Sequence, residues 1–416
     1  MKWVLMETNS PIITNSNLNK NYAVKYTYWF LNLLGIWPLI FQSLVIRKII
    51  ALIHVLIFIS ICIWEFIFRF IHMYYYVDDF DEQITLIAPI LLIFVILLKY
   101  MAVIYRRNSI MELINHINAD WNMIKCQEEK EIMTKNLNKC NNITFVFTVS
   151  MYISGAFYNC IMPHVIPFLI GSSNNQNTSE RMIIFPGYNV VFNVEFFPLY
   201  QITYIFHILT AFLCYTVLIA TCNLTVVLVT HVSSQIQIII SQLNSLLNDF
   251  SREKKFSYSM LSLTIRRHVR VLKFSNNILK KTLFEICLIE IGASSALLCI
   301  DEFCFLRMLD KKDFANMVPY SMIFLSLSLN ILILCYFSEL LDSQFMEIGI
   351  QSYAIDWYEI PLQARRYLHL MINMSQRPQK ISAGGIIDLS FLTYVQIIKT
   401  GFAYLQVLRA SNMQKK

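Results

Sequence analysis

Charge is scarce in this sequence: Asp, Glu, Lys and Arg supply 15% of its 416 residues, whereas soluble domains average about 25%. Hydrophobic residues make up 56% of the chain and aromatic residues 14%. The mean hydropathy is +0.52. Because the apolar residues gather into long uncharged runs, an ordinary soluble domain is excluded. The composition indicates a protein embedded in a membrane.

The residue patterns of catalytic, metal-binding and nucleotide-binding sites are also missing. Only nine glycines occur, and they form no phosphate-binding loop and no G-x-S-x-G motif. The eight histidines are scattered without the spacing of metal ligands. Most of the ten cysteines fall inside apolar runs, so we interpret them as small core residues rather than a disulfide framework. We therefore expect no enzyme activity, no cofactor and no bound metal.

Seven apolar runs are each long enough to cross a bilayer as an α-helix, which needs about 20 residues. The predicted fold class is therefore all-α: a polytopic membrane protein with seven transmembrane helices. The predicted spans are 49–71, 84–104, 143–165, 198–222, 283–305, 318–341 and 386–408.

Basic residues predict the orientation of these spans. Of the 34 Lys and Arg residues, 24 lie in the N-terminal arm and in the loops after spans two, four and six, whereas seven lie in the alternate loops and the C-terminal tail. Since cytoplasmic loops are enriched in Lys and Arg, we expect a cytoplasmic N-terminus and an extracellular C-terminus. The net charge of +7 then reflects topology and contact with membrane lipids, not binding to nucleic acid.

The loop after span three is predicted to lie outside the cell. It contains Asn177-Thr178-Ser179, so Asn177 is a candidate glycosylation site.

Apolar spacing beyond the membrane predicts further helices. After Thr230, Val232, Ile236, Ile239 and Leu243 continue a helical stripe out of span four. Segment 353–372 is also amphipathic and contains Trp357, Arg365, Arg366 and Tyr367. The predicted divisions are a cytoplasmic arm (1–48), helices one to four with an outer pocket (49–230), a cytoplasmic helical extension (231–282), helices five and six (283–341), a cytoplasmic amphipathic helix and turn (342–385), and a last helix with a short outer tail (386–416).

Aromatic and small side chains recur at helical spacing in the outer halves of several spans. Aromatic walls with few polar groups are typical of a small-molecule pocket, although packing residues and interfacial tyrosines give the same pattern. Because the set lies at one membrane level, we favour a pocket. The candidate ligand-binding residues are Tyr152, Gly155, Tyr158, Asn159, Met162, Tyr200, Tyr204, His207, Tyr320, Ile323 and Phe324.

The last span carries a narrow stripe of small and polar side chains. Thr393, Gln396, Thr400, Ala403 and Val407 recur at i, i+3, i+7, i+10 and i+14, which is one face of a helix. Unpaired polar groups are costly against lipid, so this face is predicted to meet a partner helix or water.

Ionisable residues inside the spans are predicted to pair with one another. Glu65 and Arg69 have the i, i+4 spacing of a helical ion pair. Glu290 is predicted to face the bundle, where Lys399 could be its partner, whereas Lys99 could extend to the cytoplasmic surface.

Short motifs at both ends of the chain carry a family resemblance. Near the C-terminus they are Arg366-Tyr367-Leu368, Ser375-Gln376-Arg377-Pro378, Ala383-Gly384-Gly385, Leu389-Ser390, Ile398-Lys399-Thr400 and Ala403-Tyr404. Ahead of the first span, the motif is Leu34-Gly35-Ile36-Trp37-Pro38. Taken together, these motifs resemble the insect odorant receptor family.

The resemblance implies a subunit of a heterotetrameric, ligand-gated, non-selective cation channel in the plasma membrane of an olfactory sensory neuron dendrite. Its implied partners are a volatile odorant and a shared coreceptor. The last helix (386–416) would line the pore, and odorant would bind in the outer half of the bundle. The cytoplasmic helices (231–282 and 342–385) would anchor the subunits, with Trp357, Arg365, Arg366 and Tyr367 as the anchor candidates. By position, Val407 corresponds to the family's hydrophobic gate, with Gln406 beside it.

Departures from related patterns refine this expectation. Ala403 stands where the family often has Ser, and the loop between spans four and five lacks the long insertion of a coreceptor, which favours an odorant-tuned subunit. A gustatory-type channel is disfavoured because gustatory relatives end in the motif TYhhhhhQF, where h is a hydrophobic residue. Here Tyr404 is followed by Leu405-Gln406-Val407-Leu408-Arg409, which does not match that motif. A G-protein-coupled receptor is disfavoured because it needs an extracellular N-terminus, opposite to the orientation predicted from Lys and Arg. A transporter is disfavoured because the spans lack the paired, Gly- or Pro-broken helices expected in its two halves.

Overall fold

The computed structural model describes residues 24–78, 80–124, 126–161, 199–253, 257–310, 314–354, 357–358, 360–377 and 379–413. Within these ranges it leaves out the side chains of residues 80–82, 247–253, 314–316, 404–405 and 407–413. The helices are α1 (Lys25–Leu33), α2 (Ile36–Phe41), α3 (Val45–Tyr76), α4 (Phe80–Tyr105), α5 (Arg107–Met123), α6 (Gln127–Ala156), α7 (Leu199–Glu253), α8 (Tyr258–Lys273), α9 (Lys280–Asp310), α10 (Phe314–Ala354), α11 (Leu362–Ser375) and α12 (Phe391–Met413).

The fold is all-α, as predicted, and helix α7 is its centre. This 55-residue helix packs against α1, α4, α6, α8 and α10, and most of its apolar stretch is buried. It runs on past the predicted end of span four, and Val232, Ile236 and Ile239 bury their side chains in one continuous core. The helix therefore continues beyond span four, and the cytoplasmic location of this extension stays a prediction.

Six helical segments of the described chain are long and apolar enough to cross a membrane. They overlap the first six predicted spans, although the end of span three (162–165) and the first residue of span four (198) lie outside the described residues. Many of their outward side chains are apolar, such as Ile50, Ile53 and Ile57 on α3. Lipid can cover such a surface, which would be unfavourable in water. The segments are Val45–Tyr76, Gln83–Tyr105, Gln127–Ile161, Leu199–Leu246, Tyr258–Asp310 and Met317–Ala354.

The seventh predicted span, 386–408, begins later than its apolar pattern suggested. A hairpin of β1 (Ser382–Ala383) and β2 (Ile387–Asp388) occupies its start. Gly384 and Gly385 form the turn with φ values of 61° and 67°, which favour glycine. Ser390 then caps α12 by accepting a hydrogen bond from Thr393 N at 3.2 Å.

The predicted amphipathic helix 353–372 is divided in the structure. Helix α10 ends at Ala354, and α11 begins at Leu362 behind Pro361, whose φ of −55° suits the start of a helix. Helix α11 packs mainly against α10 and also contacts α8.

Candidate functional site

A cavity opens among α4, α6, α7, α9 and α10, and we call it the central cavity. Its interior volume open to a water molecule is about 100 Å³, and the total space among the lining atoms, including the open mouth, is about 980 Å³. Its wall is mainly apolar, with contributions from Leu92, Ile96, Met151 and Leu218. The rings of Tyr158, Tyr215 and Tyr320 also line it.

A glycine and a helical irregularity position the aromatic wall. A Cβ at Gly155 would lie 2.4 Å from Cε2 of Tyr215, so only glycine lets this ring approach α6. The residues after Gly155 form a π-helical turn, Phe157–Ile161, which reorients the following side chains. Tyr158 and Asn159 in this turn face the cavity, and Asn159 Nδ2 donates to Gly155 O at 2.8 Å.

Several polar groups around the cavity have partners within the protein. Ser154 and Ser326 share a hydrogen bond of 2.6 Å. Arg69 donates to Glu65 Oε2 at 2.9 Å, which confirms the predicted pair. His207 Nδ1 lies 3.0 Å from the second oxygen of the same carboxylate, Glu65 Oε1.

The predicted ligand-binding residues fall into two groups. Tyr158, Asn159, Tyr320 and Ile323 line the central cavity. The others do not line it. Gly155 lies behind the ring of Tyr215, Tyr152 Oη lies 2.8 Å from Thr216 Oγ1, and the ring centroids of Tyr200 and Tyr204 stack 6.1 Å apart. His207 lies beside Glu65, and Phe324 lines a second hollow next to α12. Met162 and Asn177 lie outside the described residues. Binding by any of these residues remains a prediction.

Sequence reasoning missed much of the cavity wall. Helix α4 contributes Thr85, Ala88 and Pro89, and α9 contributes Leu297 and Asp301. Helix α4 is apolar on nearly all sides, so periodicity could not show which face meets the cavity. Pro89 inside a span and Asp301 near the end of span five were the available signals.

Helix α12 presents its stripe of small and polar side chains away from the rest of the protein. Gln396, Thr400, Ala403 and Gln406 are exposed, whereas Thr393 is half-buried and its hydroxyl donates to Asp388 O at 2.7 Å. Val407 lies on the same helix, but its side chain is outside the described part.

The opposite face of α12 packs on the bundle. Tyr394 Oη is 2.8 Å from Ser328 Oγ, and buried Gly401 faces the Glu302 carboxylate of α9.

The anchor candidates surround the turn before α11. Arg365 donates to Ile360 O and Tyr358 O, both at 2.7 Å, and so closes this turn. Trp357, Arg366 and Tyr367 are exposed.

A polar cluster joins three helices at the end of the bundle predicted to be cytoplasmic. Asp120 of α5 lies 3.0 Å from His231 Nε2 of α7 and 2.6 Å from Arg270 of α8. Burial alone would raise the pKa of Asp120, but the hydrogen bond with His231 and the charges of His231, Arg270 and His116 lower it overall. Among the residues described, this cluster included, no group of three or more His, Cys, Asp and Glu side chains could hold a metal ion.

Comparison with protein families gives one extended match. The model of the 7tm odorant receptor family matches residues 79–402. Odorant receptor 2a of Drosophila melanogaster is 26% identical over 151 residues, covering 36% of this chain and 38% of that protein. Putative odorant receptor 92a of the same species is 19% identical over 281 residues, covering 67% of this chain and 65% of that protein. The chain thus spans less than two thirds of either relative.

Solved structures share the whole architecture. The insect olfactory receptor OR5 from Machilis hrabei in complex with eugenol aligns with a TM-score of 0.76 and 12% identity, covering 93% of this chain and 97% of that chain. A second structure of OR5 aligns with a TM-score of 0.74 and 13% identity, covering 92% and 97%. At these identities the likeness shows a common fold.

Proposed function

Because this multi-pass membrane protein belongs to the 7tm odorant receptor family, we propose that it is an odorant-tuned subunit of a ligand-gated, non-selective cation channel. A small volatile ligand binds in the central cavity, and the subunit assembles with a shared coreceptor in the plasma membrane of a sensory dendrite. The eugenol complex of OR5 supports a small ligand of this kind. Opening requires that the ligand bind the open state more tightly than the closed state.

The exposed polar stripe of α12 is the observation that carries the channel proposal. Gln396, Thr400 and Ala403 face away from the subunit's own core. Polar groups on a spanning helix are unfavourable against lipid, so they are accommodated around a water-filled axis between subunits. The resemblance places Val407 at a hydrophobic gate on the same helix, where movement of α12 would replace a dry constriction with a wet one.

The central test is whole-cell current with the full chain expressed alone and with a coreceptor, against a broad odorant panel and with G-protein signalling blocked. We expect a fast inward cation current only in the co-expressed cells. Thr400→Cys should make that current sensitive to a thiol reagent applied during odorant exposure, and the wild-type subunit with the same reagent is the control.

Two results would contradict the proposal. Currents that disappear when G-protein signalling is blocked would indicate a G-protein-coupled receptor instead of a channel subunit. A Thr400→Cys channel that opens normally but whose current is unaffected by the reagent would show that α12 does not line the pore.

A further inference from the structure

Asp301 is a buried acid in the wall of the central cavity, and the described part of the chain places no compensating cation beside it. The residue is 5% exposed, and its Oδ2 has no hydrogen-bond partner within the described part of the chain. A buried carboxylate is costly unless a proton or a cation compensates it. A positively charged ligand group next to Asp301 would therefore be favourable, because it would compensate the buried carboxylate.

The other charged group of the wall does not supply that charge. Arg69 also lines the cavity, but its guanidinium bonds the buried Glu65 carboxylate at 2.9 and 3.1 Å. Since Glu65 neutralises Arg69, the guanidinium presents no uncompensated positive charge to the ligand. The cavity consequently favours cations over anions.

The remaining wall matches the rest of such a ligand. The rings of Tyr158 and Tyr320 line the cavity, and the faces of aromatic rings attract cations. Leu92, Ile93 and Leu297 supply apolar surface. A complementary molecule has an apolar body and one protonated amine, which donates charge-assisted hydrogen bonds to a carboxylate.

We propose that this subunit is tuned to volatile amines, with Asp301 binding the ammonium group. The inference rests on the proposed odorant receptor function and names the ligand class of its cavity.

Matched pairs of probes test the ligand class directly. Phenethylamine and hexylamine are compared with phenethyl alcohol and hexanol, by thermal unfolding of the full chain in detergent. A hydrogen bond to a charged group contributes enough that each amine should stabilise the wild-type protein at about tenfold lower concentration than its alcohol. Asp301→Asn should abolish that preference. Asp78→Asn, which changes an exposed acid on the same predicted outer side, should preserve it.

Equal stabilisation by amine and alcohol would overturn the proposal, as would an unchanged amine preference in Asp301→Asn. If that variant does not fold, the comparison of amine with alcohol on the wild-type protein still tests the proposal. A neutral Asp301 carboxyl would bind each alcohol as tightly as its amine, and no amine preference would then be measured.

Current recordings with the coreceptor separate this inference from the proposed function. Amines that stabilise the protein but evoke no current would overturn the channel function and leave the ligand class standing. Alcohol-evoked currents without a preference for amines would leave the channel standing and overturn the ligand class.

Discussion

At the scale of single residues, the bundle contains an ion pair that sequence spacing did not find. Lys99 Nζ lies 2.6 Å from Glu290 Oε1, and the two side chains are 1% and 2% exposed. Thr221 and Asn330 also donate to this carboxylate. Lys99 therefore does not extend to the surface, and Lys399, the partner suggested by the sequence, is exposed on α12.

Lys99→Met should destabilise the subunit strongly. Removing one partner of a buried ion pair costs about 3–5 kcal/mol, because the other charge stays buried. Adding Glu290→Gln should recover part of this loss, since the lone charge is then gone. Lys399→Met is the control and should change the free energy of unfolding by less than about 0.5 kcal/mol. Thermal unfolding in detergent measures all four proteins, and a double variant no more stable than Lys99→Met would contradict this explanation.

At the scale of elements, the sequence predicted helices better than it predicted their faces. Long apolar runs determine which segments become spans, and the stripe through Val232 and Ile236 correctly extended span four. The i, i+4 pair Glu65–Arg69 was also correct because it lies within one helix. The central cavity depends on contacts between helices distant in sequence, such as Gly155 under Tyr215. Single-helix periodicity carries no information about such contacts.

The contact between α9 and α12 is a second element-scale feature, and Gly401 tests it. A Cβ there would lie 2.5 Å from Glu302 Oε2, so Gly401→Ala forces either the Glu302 carboxylate or α12 to move, and a shift of α12 would be away from α9 and toward the side of its polar stripe. If that side is the pore, the maximal odorant-evoked current should fall. Gly292→Ala on α9, where a Cβ meets nothing within 4 Å, is the matched control.

The double variant Gly401→Ala, Glu302→Ala restores room and should recover the current. Equal effects of Gly401→Ala and Gly292→Ala at the same surface expression would show that this contact does not position α12.

At the scale of the whole molecule, the subunit leaves an apolar face uncovered outside the predicted membrane spans. Met346, Ile350 and Tyr353 lie on one face of α10 and are 52%, 63% and 67% exposed. Nearby, Trp357 and Leu370 are 46% and 52% exposed. Lipid does not reach this end in the predicted topology, and large apolar patches in water mark protein interfaces. The face fits the proposed anchor between subunits.

Ile350→Asp should therefore block assembly without unfolding the subunit. A carboxylate buried in an apolar interface is strongly unfavourable unless it is paired, whereas on the isolated protein it is solvated. Ile350→Leu keeps the apolar surface and serves as the matched control. Native electrophoresis of the detergent-solubilised complex with its coreceptor should show tetramers for the wild type and Ile350→Leu, and smaller species for Ile350→Asp. Thermal unfolding distinguishes lost assembly from misfolding. An Ile350→Asp monomer with the melting temperature of the wild-type monomer would show that the substitution acts on the interface between subunits. Intact tetramers carrying Ile350→Asp would place the anchor elsewhere on the molecule.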